Sequence, residues 1–147
     1  MAQYLIKCQF PLVGNLQNTL KQQQLTIGCT ANTIQIIHCN RRKHWIIAST
    51  KGCPAGEVNV YDTSFDKSDY ESRCIVKQIF LVKDGNKIKM VPIQKQKGTK
   101  DCGLFTIAIM TSLAYENPSD VTYKQNSLRS HLIECFKNKS MLLFPRF

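Results

Sequence analysis

Cys102 stands at the beginning of a long apolar stretch, residues 104–114, that reads as a helix. A thiol in the first turn of a helix meets free backbone N–H groups and the positive end of the dipole, both of which favour the thiolate. A thiolate nucleophile needs a base within hydrogen-bond reach and a third group that fixes the base's orientation. His44 and Asp62 are of the right types. His44 opens one β-rich run and Asp62 closes the next, and antiparallel neighbours bring those two positions to the same end of a sheet. Gln96, six residues ahead of Cys102, carries an amide that can face the charge developing on an attacked carbonyl, together with the Cys102 backbone N–H. Each residue also has a plainer reading. Cys102 alone is equally a buried structural cysteine, and Gln96 a solvated loop residue whose neighbour Gln94 is its rival. His38, beside Cys39 at the far end of its strand, and His131, inside a C-terminal helix, read as structural. Asp66 and Asp69 read as solvated loop residues.

The elements that must position this group follow from periodicity and turn chemistry. Residues 33–39, 44–49 and 58–62 are β-rich runs separated by Asn40-Arg41-Arg42-Lys43 and by Lys51-Gly52-Cys53-Pro54-Ala55-Gly56, which predicts an antiparallel meander. Residues 70–82 are ambiguous: Ile75, Ile79 and Phe80 fit one helical face, whereas the β-branched content favours a strand. Asp84-Gly85-Asn86 turns the chain into a further strand over 87–93. Residues 104–114 are apolar on nearly every side, the pattern of a helix enclosed by other elements, with Asp101 as its N-cap and Asn117-Pro118 ending it. An amphipathic stretch at 127–137 closes the fold. Near the N-terminus, residues 2–7 predict a short helix stopped by Pro11, and residues 16–23 a second.

Composition narrows the class. A chain of 147 residues with 43% hydrophobic content suits one globular α+β domain. No run approaches the roughly 20 apolar residues of a membrane span, and the N-terminus lacks the pattern of a secretory signal, so the expectation is an intracellular protein with no membrane partner. The seven cysteines are odd in number and contain no C-x-x-C pair, which points to reduced thiols rather than a disulfide framework or zinc ribbon. His38, Cys39, His44 and Cys53 match no common metal spacing, and neither metal nor cofactor is expected. The net charge of +10 attracts acidic protein surfaces or nucleic acid, although aromatic residues do not interleave with the basic runs as base stacking would require.

Three segments carry a resemblance: HWIIAS at His44, VNVYDTSF around Asp62 and QKQKGTKDCGLFTIA around Cys102. In residue types and in the order His, Asp, Gln, Cys, the chain resembles the ubiquitin-like-protein proteases, which include the SUMO-specific proteases and related domains carried by mobile elements. The resemblance implies an α+β papain-like fold, with a small antiparallel or mixed sheet and a buried central helix starting at the nucleophile. It makes Cys102 the nucleophile, His44 the base, Asp62 the orienting carboxylate and Gln96 the oxyanion donor. Trp45 and Gly103 become substrate-binding residues, Trp45 walling a tunnel that admits a glycine tail because glycine lacks a Cβ. The implied partner is a ubiquitin-like protein, SUMO or a relative, and its conjugates, processed by a monomer. The family's usual opening Trp-Leu-x-Asp segment is not found, so the chain reads as a single catalytic domain, N-terminally shortened. Thr99 and Lys100 stand where the family commonly has smaller residues. The alternatives are a catalytically impaired binding module and a nucleic-acid-associated viral or transposon-type processing protease. Arg41, Arg42, Lys43, Lys95, Lys97 and Lys100 flank the site in sequence and predict an electropositive mouth, with solvated lysines as the plainer reading.

Overall fold

The computed structural model describes residues 1–12, 26–28 and 32–147. The helix expected at residues 16–23 and Cys29 lie outside these residues. The β-rich runs form strands β1 (Ile34–Cys39), β2 (His44–Ser49) and β3 (Val58–Tyr61), each antiparallel to the one before it. The turn between β1 and β2 ends on Lys43 in the left-handed region, φ 48°, which reverses the chain so that His44 pairs with Cys39. Strand β4 (Ile88–Met90) is shorter than the expected 87–93 and lies parallel to β3, giving a mixed sheet in the order β1-β2-β3-β4. Pro92, which lacks an N–H, follows closely after the strand.

A parallel neighbour requires a crossover, and the ambiguous stretch provides it as helix α2 (Tyr70–Phe80). Asp69 accepts a hydrogen bond from Ser72 N–H at 3.2 Å and so caps the start of α2, while Leu81 closes the end in the left-handed conformation, φ 54°. The remaining helices are α1 (Ala2–Gln9), α3 (Cys102–Ala114) and α4 (Leu128–Lys137).

Both faces of the sheet are covered, so its strands read as nearly continuous apolar runs. Ile37, Cys39, Ile46, Ala48, Val58 and Val60 face Val76, Ile79 and Phe80 of α2. Ile34, Ile36, Ile47 and Tyr61 point the opposite way, toward Leu5 and Ile6 of α1 and Phe105, Ala108 and Ile109 of α3. Helix α3 is the enclosed helix its composition predicts, with Phe105, Ile109 and Met110 at most 1% exposed. Truncating any of them to alanine costs about 2–5 kcal/mol.

Helix α1 is fastened to the segment after α4. Gln9 donates to the Met141 carbonyl at 3.1 Å and accepts from Met141 N–H at 2.6 Å. Tyr115 Oη donates to the same carbonyl at 2.7 Å.

One local expectation fails. Asp101 occupies the position before α3 but makes no side-chain cap hydrogen bond. Its carboxylate instead accepts from Gln125 Nε2 at 2.8 Å and faces Arg129 at 3.5 Å. A charge-assisted bond to these two partners outcompetes the local cap.

Candidate active site

The edge of the sheet where β2 begins and β3 ends collects the polar side chains. Residues 44, 46 and 48 share one face of β2, and residues 58 and 60 share one face of β3 with the position that Asp62 continues. His44 and Asp62 are 6% and 2% exposed, and His44 Nε2 lies 2.9 Å from Asp62 Oδ1. The same Oδ1 accepts the backbone N–H groups of Ser64 at 2.8 Å and Phe65 at 3.1 Å, which folds the chain after β3 around the carboxylate. Oδ2 accepts from Arg42 Nη2 at 2.6 Å. Burial alone raises the Asp62 carboxyl, but the hydrogen bonds from His44, Ser64 N–H and Arg42 outweigh it and hold the group well below the usual carboxylate range. Asp62 is therefore an anion whose two oxygens are assigned to different partners. The other ring nitrogen of His44, Nδ1, stands 3.5 Å from Ser64 Oγ.

Helix α3 packs on β2 and starts at Cys102, which is 6% exposed. With Asp101 drawn away, the first turn of α3 keeps backbone N–H groups that no side chain of Asp101 occupies. No hydrogen bond joins the Cys102 thiol to His44 among the described residues. Contact between the two elements runs through their neighbours: a Cβ built on Gly103 would lie 3.7 Å from Trp45 Cδ1. Trp45 and Gly103 also line a largely apolar groove of about 500 Å³, together with Met1, Ala2, Ile36 and Ile107.

The two glutamines are used differently. Gln94 clamps Tyr123, accepting from its N–H at 2.6 Å and donating to its carbonyl at 3.2 Å. Gln96 accepts from Thr63 Oγ1 at 2.7 Å and donates to the Gly98 carbonyl at 2.9 Å, while its own N–H bonds the Thr63 carbonyl at 2.9 Å. Gln96 is thus fastened to the residue following Asp62, and its amide retains a second N–H.

The competing residues are engaged elsewhere. His38 contacts Asn40 Oδ1 at 2.9 Å and the Trp45 ring at a centroid distance of 4.6 Å. His131 approaches the Leu142 carbonyl at 3.1 Å and packs edge-on to Phe144. Asp69 caps α2, and exposed Asp66 pairs with Lys95. Among the described residues no cluster of three or more His, Cys, Asp or Glu is placed to hold a metal. No helix among them is long and apolar enough to cross a membrane.

One residue near Asp62 escaped the sequence reading, and two others are placed differently from it. Ser64, the second residue after Asp62, contributes both its N–H and its hydroxyl to the His44–Asp62 pair, and an Asx-turn signal at Asp62-Thr63-Ser64 would have found it. Arg42 does not point to an electropositive mouth; its side chain is 14% exposed and turns inward to Asp62. Lys95 is likewise spent, donating to the carbonyls of Asp62 at 3.0 Å and Phe65 at 2.9 Å.

The architecture is α+β with a four-strand mixed sheet. Among the solved structures it resembles are those of SUMO protease Ulp1. With the catalytic cysteine oxidised to a sulfenic acid, that protein matches at a TM-score of 0.61 and 12% identity, over 93% of this chain and 74% of the other. With the cysteine oxidised to a sulfonic acid, it matches at a TM-score of 0.60 and 13% identity, over 86% and 69% respectively. At such identities the likeness is one of fold. No protein-family model and no curated protein matches the sequence.

Proposed function

We propose that the chain is an intracellular cysteine peptidase or isopeptidase that cleaves after the C-terminal glycine of a ubiquitin-like modifier, SUMO or a relative. The observation that carries this reading is the buried His44–Asp62 pair at the end of the strand on which the Cys102 helix packs, within a Ulp1-like fold.

In this reading Cys102 attacks the carbonyl carbon of the modifier's last glycine. The oxyanion accepts hydrogen bonds from the Cys102 N–H, in the first turn of α3, and from the second amide proton of Gln96. His44, held by Asp62 through Nε2, uses Nδ1 to take the thiol proton and then delivers it to the leaving amine. Water, activated by the same nitrogen, releases the acyl-enzyme. Trp45 and Gly103 line the groove beside the nucleophile, and a narrow passage between them would suit a glycine tail. All of this chemistry needs only side chains, the Cys102 N–H and water, and the chain works as one catalytic domain.

The test uses ubiquitin-like proteins, SUMO first among them, carrying a C-terminal glycyl vinyl sulfone. Covalent labelling of the wild-type chain is expected, abolished in Cys102→Ala and strongly slowed in His44→Ala. Tight binding of the same modifiers with no Cys102-dependent adduct would refute the hydrolase reading and leave a binding module in its place.

A further inference from the structure

Arg42 is the most unusual group beside Asp62. It lies in the β1–β2 turn, two residues before His44, and forms a 2.6 Å ion pair with a carboxylate that also holds an imidazole. Its guanidinium stacks on the Phe65 ring, 3.9 Å from the centroid, and its Nε lies 3.5 Å from Asp69 Oδ2. Nε and Nη1 are buried without a hydrogen bond of good geometry, although Cys39 and Asp69 also act on the guanidinium. Burying a guanidinium whose nitrogens are incompletely satisfied is costly, and a neutral residue in the turn would avoid that cost. The charge is retained against its desolvation penalty, and the atom it serves is Asp62 Oδ2.

An Asp that faces only a histidine places its full negative charge behind the ring and favours the imidazolium. Here a fixed positive charge occupies one carboxylate oxygen. The charge felt by His44 is the sum of the two, and the imidazolium gains correspondingly less. The other ionisable groups around this centre are few. Cys39 comes from β1, its thiol pushed up to about 11 by burial despite Arg42. Asp69 and Glu71 come from the start of α2, and Lys95, paired with Asp66, comes from the segment after β4. Cys102 begins α3, which packs on the strand that His44 opens. Among these, Arg42 is the cation paired with the Asp62 carboxylate itself.

We propose that Arg42 is a positioning residue that fixes Asp62 through Oδ2 and offsets part of the carboxylate's charge at His44. The significance for turnover rests on the hydrolase reading above, but the arrangement itself can be tested without turnover. The chain has three histidines, so the ring signals of isotopically labelled protein can be assigned by single His→Gln variants and followed by NMR against pH. Replacing Arg42 by Gln, or by Met, which retains an apolar stem over Phe65, is expected to move the His44 midpoint up by about one pH unit. Arg42→Lys, which restores a charge, is expected to bring it back most of the way. Signals of His38 and His131 serve as internal controls and stay in place.

A midpoint that is unchanged, or that falls, in folded Arg42→Gln or Arg42→Met protein overturns the proposal. So does a rise that Arg42→Lys fails to reverse, since that marks lost packing rather than lost charge. The vinyl-sulfone reaction separates the two levels of argument. Absence of a Cys102 adduct in wild type refutes the hydrolase reading while the NMR midpoints still decide the role of Arg42.

Discussion

Replacing Asp62 by Asn isolates what the ion pair contributes to folding. An Asn at this position can keep its oxygen toward His44, Ser64 N–H and Phe65 N–H, the three donors that Oδ1 accepts. Its amide nitrogen then faces Arg42 Nη2, which approaches Oδ2 at 2.6 Å, and two donors oppose each other. The partners are 14% and 2% exposed, so solvent screens the lost attraction little. Breaking a buried pair and leaving one charge unmatched costs about 3–5 kcal/mol. Asp69, 3.5 Å from Arg42 Nε, remains as a second anion, which places the expectation at the lower end, about 3 kcal/mol. In urea unfolding this is a fall of about 1–2 M in midpoint. Arg42→Met leaves Asp62 with its three other donors and should cost about 1–2 kcal/mol. The double variant removes both charges, so it should cost about 2 kcal/mol less than the sum of the single ones. A loss under about 1 kcal/mol for Asp62→Asn, or additivity within about 0.5 kcal/mol, would refute the reasoning.

The same carboxylate predicts a pH dependence. Because its folded value is depressed, its stabilisation is complete above the unfolded carboxylate value of about 4 and is lost as pH falls below that toward the folded value. The penalty of Asp62→Asn in urea midpoints should therefore shrink by about 1 kcal/mol between pH 5 and pH 3, and a constant penalty would count against it. Gln96→Ala should lower the rate of modifier cleavage about 100-fold and, by releasing the Thr63 hydroxyl and the Gly98 carbonyl, cost about 1 kcal/mol in urea unfolding. Gln94→Ala should leave cleavage little changed while costing about 1–3 kcal/mol by stranding the Tyr123 N–H and carbonyl. Gly103→Ala meets only an ordinary contact at Trp45, so thermal unfolding should be unchanged or slightly higher while cleavage after a glycine tail slows. Leu81→Gly relieves a left-handed, 65% exposed leucine at the end of α2 and should add about 0.5–1 kcal/mol in denaturant unfolding.

The parts of the fold that were legible in the sequence are those specified locally. The runs at His44 and Asp62 are bounded by turn residues, and their ends define where the pair meets. The enclosed α3 announces itself by lacking a polar face. Helix α2 was ambiguous because Ile75, Val76 and Ile79 are β-branched and suit either state; the Asp69 cap and burial against the sheet decide it. The parallel placement of β4 depends on that same crossover and could not be read before it. Asp101 looked like a cap because Gln125 and Arg129, which claim its carboxylate, are more than twenty residues away. Arg42 looked like one more solvated cation, since its partners come from the end of β3 and the start of α2. The Cys102 assignment drew on residue order and resemblance, which carry information that hydrophobic periodicity does not.

The clamp between Gln9 and Met141 spans nearly the whole domain, and this has a consequence for synthesis. Helix α1 supplies Ile6, fully buried against α3, yet its last side chain is fastened by a residue translated 132 positions later. Such distant contacts close last, after the chain entropy of everything between them has been lost. A nascent chain that has already produced Cys102 still waits for the segment after α4 before α1 is secured beside it. The groove next to Trp45, which α1 helps to line, is therefore finished only once the segment after α4 has left the ribosome.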